Sequence, residues 1–112
     1  SSRRLPVQRG AGDTGMITKL YFGVPKEAPP VGSIQELERV LADAVGGFTA
    51  YAATSVWRNP STLALSEELS YVYEIVHTDG WPAIHAFAIA MKDLLKQQEV
   101  LVVQVLSEKV VL

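Results

Sequence analysis

The chain contains no cysteine. That excludes disulfides, thiolate nucleophiles and every metal site built on sulfur, and it leaves the redox compartment open. Histidine occurs only twice, so triads and zinc sites have little to draw on. No apolar run approaches the ~20 residues of a membrane span, and the head of the chain has no apolar segment of the secretory type. Cytoplasm is the expected location. Basic charge is also scarce: from Met16 onward seven Lys or Arg face eleven Asp or Glu, leaving −4. An acidic body repels a phosphate backbone, so nucleic acid is not an expected partner and neither is a membrane.

What is present suits one packed domain. The 112 residues are 48% hydrophobic and 20% charged, a globular balance for a single small core. A chain this short buries about two thirds of its unfolded surface, so a partner surface would help it. Residues 1–15 are rich in Gly, Ser and Arg and look like a leader or a docking arm, with Met16 as an alternative start. Residues 16–112 form the expected α+β domain.

Along that domain the hydrophobic period changes several times. Leu20, Phe22 and Val24 alternate with Lys19, Tyr21 and Gly23, the period of a half-buried strand over 18–24. Ser33-Ile34-Gln35-Glu36 reads as a capping box opening a helix whose apolar face is Ile34, Leu37, Leu41, Ala44 and Val45. Gly46-Gly47 should end it, since a positive φ is cheap there. Phe48–Arg58 predicts a second strand, Asn59-Pro60-Ser61 a turn, and Leu69–His77 a third strand. Asp79-Gly80-Trp81-Pro82 predicts a helix start, with Ile84, Phe87, Ala88, Met91, Leu94, Leu95 and Gln98 as the inner stripe. Val100–Leu106 is nearly all apolar, as in a strand covered on both faces, and Val110–Leu112 could add a short terminal strand.

The order βαββαβ is the ferredoxin-like plan: a four-stranded antiparallel sheet with two helices on one face. Leu20, Phe22, Leu69, Tyr71, Tyr73 and Ile75 would then face the helices. Lys19, Tyr21, Ser70, Val72, Glu74 and Val76 would lie on the open face.

Few motifs carry chemistry. Gly10-Ala11-Gly12-Asp13-Thr14-Gly15 matches the dinucleotide pattern in letters, but a polar leader precedes it and a strand follows, so no cofactor is expected. His77, Asp79 and His85 are the right residue types for a metal, yet their spacing matches no ligand pattern, and no metal is expected. Glu67-Glu68 are adjacent on a strand and point to opposite faces, which opposes a shared-proton dyad. Tyr71 and Tyr73 occupy the third strand as the stacking aromatics of RNA-recognition modules do, but Glu67 and Glu68 stand where base is needed. Trp57 beside Arg58 would suit an anionic or aromatic ligand, although a Trp capping the core's edge is the plainer reading.

From Lys19 to about Val102 the chain resembles a set of small, uncharacterised bacterial proteins, some carried on mobile gene cassettes. The shared features are Phe22-Gly23, then Gly46-Gly47-Phe48-Thr49, Trp57 near the hairpin, and Glu68-Leu69-Ser70 entering the third strand. Ala50–Ser55 departs from the pattern, where relatives tend to carry a Gly. The resemblance implies the ferredoxin-like fold and brings no activity with it. In topology and size alone the chain is also similar to dimeric α+β-barrel proteins, among them cofactor-free monooxygenases and isomerases.

The leading expectation is a non-catalytic binding or accessory module that forms a homodimer through the open sheet face. The alternative is a small cofactor-independent enzyme using His77, Asp79 or Glu68 as acid or base. Candidate ligand-binding residues for a small molecule are Tyr21, Trp57, Arg58, Glu68, Glu74 and His77. No catalytic residue is assigned.

Overall fold

The computed structural model describes residues 14–27, 29 and 31–108. Six elements follow in the order β1 (Thr14–Gly23), α1 (Val31–Val45), β2 (Thr49–Arg58), β3 (Leu65–His77), α2 (Trp81–Leu94) and β4 (Leu101–Glu108). The strands form one sheet in the order β2-β3-β1-β4, and every pairing is antiparallel. This is the expected ferredoxin-like α+β plan, with β1 and β3 in the centre. Residues 1–13 and 109–112, which include most of the leader and the suggested terminal strand, lie outside the described residues.

One sheet face and the two helices enclose the core. Leu20 and Phe22 of β1 and Tyr73 and Ile75 of β3 are buried against Leu41 of α1 and against Ile84, Phe87, Ala88, Met91 and Leu95. Phe22 meets Tyr73 edge-on at 5.8 Å and Phe87 at 6.2 Å, while Tyr73 and Phe87 lie 5.0 Å apart. Edge-to-face contacts of this kind add to the burial of the rings. On α1's outer face Arg39 pairs with Glu36 and with Asp43, a solvated arrangement that contributes little to stability. Gly46 and Gly47 end α1 at φ +91° and +143°, a region in which a side chain is strained.

The structure departs from the sequence expectation in several places: β1 runs from Thr14 to Gly23 and not over 18–24, and β3 begins at Leu65 and not at Leu69. The first helix begins at Val31 and not at Ser33. Val31 lies one turn before Ile34 on the same face, so the helical period runs back past the serine and places Ser33 inside the first turn. Leu69 is 48% exposed and outside the core. Regular pairing of β1 with β3 stops at Gly23 opposite Ser70, and after one further bond from the Val24 amide to the Leu69 carbonyl at 2.9 Å the described part of β3 before Leu69 pairs with β2. Gln98 lies beyond the end of α2 and is exposed. Finally, the described residues do not cover both faces of β4: Leu101, Val105 and Leu106 are 55%, 49% and 77% exposed.

The unpartnered stretch of β2 and β3 forms a projecting hairpin. Its turn is tied by Asn59, whose Oδ1 accepts from the amides of Ser61 and Thr62 at 2.8 and 3.0 Å. Leu63 follows at φ +61°. The arm draws the molecule out to 53 × 31 × 22 Å, with a radius of gyration of 16.5 Å, against about 13 Å for a compact domain of this length.

Candidate functional site

Cross-strand register builds the open face. Lys19 of β1, Glu74 of β3 and Thr49 of β2 stand in one row, and Tyr21, Val72 and Tyr51 in the next. Flanked by the two tyrosines, Val72 is 1% exposed although no helix covers it. Glu74 lies 3.9 Å from Lys19 Nζ and accepts a 2.5 Å hydrogen bond from the Tyr51 hydroxyl. That bond, which a phenolate could not donate, pushes the Tyr51 pKa up to about 12. Ile17, Val103, Val105 and Leu101 extend the face across β1 and β4.

The sequence-derived candidates are therefore divided among several places. Tyr21 and Glu74 come together at the centre of the open face. Trp57 and Glu68 share that face, farther out on the hairpin arm, where Trp57 is 56% exposed. Arg58 follows Trp57 on the strand and so occupies the opposite face, where its Nη1 donates to the Leu63 carbonyl at 2.7 Å and closes the hairpin loop.

His77 belongs to the helix side and is buried. Its Nδ1 accepts the Gly80 amide at 3.2 Å, which leaves the ring proton on Nε2 to be donated to Thr18 Oγ1 at 2.7 Å. The imidazole thus takes up an amide at the start of α2, where Gly80 supplies no side-chain cap. His85 packs against Trp81 at a ring separation of 5.5 Å. Among the described residues no three His, Asp or Glu side chains are grouped to hold a metal ion.

Burial holds the His77 pKa below the ordinary 6.5, with the charge of Asp79 pulling weakly the other way. Between the folded value and 6.5 the unfolded chain binds more protons, so stability rises with pH across that window and is lost as pH falls through it. Urea denaturation compared at about pH 7.5 and about pH 5 is expected to show a smaller loss in His77→Gln than in the parent chain. Equal losses would show that this imidazole is not held neutral by the fold.

A cavity of about 300 Å³ lies on the helix side of the sheet between α1 and β2. Val31, Ile34, Gln35 and Glu38 line it from the helix, Ala50, Tyr51 and Ala52 from β2, and Tyr71 and Tyr73 from β3. The Tyr73 hydroxyl donates to Glu38 Oε2 at 2.6 Å. Burial first, and then this bond, hold the Tyr73 hydroxyl neutral far above the usual phenol range. None of the six candidate ligand residues lines the cavity. Tyr51 and Glu38 were not singled out from the sequence: Glu38 carried one faint signal, standing four residues after Ile34 beside the apolar stripe, whereas Tyr51 carried none.

No family model matches the chain, and no curated protein does. Solved structures do. A phage SAM lyase in complex with S-methyl-5'-thioadenosine superposes with a TM-score of 0.61 at 16% identity, over 88% of this chain and 84% of the other. CutA from Synechococcus elongatus gives 0.52 at 10% identity over 83% and 76%, and the B. subtilis GlnK–ATP complex gives 0.55 at 12% over 86% and 85%. At such identities the likeness is one of fold. It places this chain in the ferredoxin-like architecture.

Proposed function

We propose that the chain is a non-catalytic binding or accessory module that assembles with further copies of itself through its open sheet face, a twofold pair being the simplest such assembly. The observation that supports this most is the apolar edge at β4, which the described residues leave exposed. Residues 101–106 carry no charge and no proline, and Leu101 and Val105 stand half exposed on the open face beside Ile17 and Val103. An edge strand of this composition invites pairing or covering, and natural proteins protect such edges. Lys19 and Glu74 at the centre of the face supply opposite charges that a second copy can meet. Small molecules are held by two of the similar structures, S-methyl-5'-thioadenosine in the SAM lyase and ATP in GlnK, which supports a binding role.

Light scattering across a dilution series tests the assembly. The expected mass at micromolar concentration is that of two or more 12.2 kDa chains. A mass of one chain throughout would overturn the reading.

A further inference from the structure

The cavity between α1 and β2 has a distinct chemistry. Its space exists because β2 presents only methyl groups there, Ala50 and Ala52, opposite the turn of α1 that carries Ile34, Gln35 and Glu38. Among the described lining residues Glu38 is the one ionisable group apart from the tyrosines, and none is Lys, Arg or His. The nearest basic residue on the helix, Arg39, is engaged by Glu36 and Asp43. Among the described residues Glu38 has no cationic partner. The Tyr73 hydroxyl donates to one carboxylate oxygen and leaves the other without a side-chain hydrogen bond among the described residues.

We propose that this cavity binds a small organic cation, an alkyl- or arylammonium, whose charge meets the Glu38 carboxylate while its apolar body rests among Tyr71, Ile34 and the methyls of Ala50 and Ala52. Three features select this class. An anion would face an uncompensated carboxylate. A neutral apolar ligand would desolvate the second Glu38 oxygen without offering it a partner. An ammonium satisfies that oxygen and is also attracted to tyrosine rings at the wall. About 300 Å³ is the lower end of the range for ligand pockets, which sets the size as small. The cavity lies on the sheet face opposite the proposed assembly surface, so the two readings fail independently.

The test titrates the full chain with benzylamine, an ammonium at neutral pH, and with benzyl alcohol as its neutral counterpart, following backbone amide shifts by NMR. Saturable shifts are expected at residues 34–38, 50–52 and 71–73, with benzylamine binding at least about tenfold more tightly. Glu38→Gln keeps an acceptor for the Tyr73 hydroxyl and removes the charge, so it should erase the difference between the two probes. Ala52→Leu fills the space from the other wall and should abolish binding of both while leaving the remaining spectrum in place. Absence of saturable shifts, equal affinity for the two probes, or discrimination that survives Glu38→Gln would each overturn the proposal.

Discussion

Phe22→Ala is expected to lower unfolding free energy by about 3–5 kcal/mol, the usual cost of deleting a fully buried phenylalanine. Phe22 is 0% exposed and touches both the sheet and helix sides of the core, edge-on to Tyr73 and to Phe87. Truncation leaves a void between two rings that other core residues hold in place, so collapse around it is limited. A small domain has only about 5–15 kcal/mol to lose, and the variant should be largely unfolded at moderate urea. Phe22→Leu retains most of the volume and should cost no more than about 1.5 kcal/mol. Val40→Ala, on the exposed side of α1, should change stability by less than about 0.5 kcal/mol. Denaturation midpoints for the three variants check the ranking. Equal losses for Phe22→Ala and Val40→Ala would mean that the core is not organised around this ring.

Val105→Glu is expected to reduce the assembly to single chains at micromolar concentration with little change in fold. Val105 sits opposite Ile17 on the open face and is already half exposed in the isolated chain, so a carboxylate there remains solvated in one copy. In the assembly the same carboxylate would be buried among Ile17, Val103 and Leu101 without a partner, at a cost of several kcal/mol. Leu106→Glu changes the same strand on its other face and serves as the comparison. Light scattering with circular dichroism separates the outcomes: single-chain mass with an unchanged spectrum supports the open face as the contact. An unchanged mass in Val105→Glu together with single chains in Leu106→Glu would move the contact to the other side of β4.

The alternation of Leu20 with Phe22 and of Tyr73 with Ile75 was enough to assign the core face, because a strand's period is local. The start of α2 at Trp81-Pro82 and the end of α1 at Gly46-Gly47 were legible for the same reason. Register was not. Leu69 continues the alternation of Tyr71 and Tyr73, yet it is 48% exposed at the point where regular pairing with β1 has ended. Val72 falls on the open face as its parity requires, yet it is buried because Tyr21 and Tyr51 flank it from two other strands. The Tyr51–Glu74 and Thr18–His77 hydrogen bonds join residues 23 and 59 positions apart, and no pattern along the chain marks such pairs. The cavity depends on small side chains on one strand lying beneath a helix, which becomes visible only when the elements are assembled.

The absence of cysteine provides the most direct measurement of the central claim, since a single introduced thiol reports its own surroundings without background. Val105→Cys places it on the open face, and Asp43→Cys places a control on the exposed side of α1. Both chains are treated with a thiol alkylating reagent at high and low protein concentration. If further copies cover the open face, the thiol at position 105 reacts much more slowly than the one at position 43, and its rate rises on dilution while the control rate stays constant. Equal rates at the two positions, unchanged by dilution, would show that the open face meets water and would contradict the account.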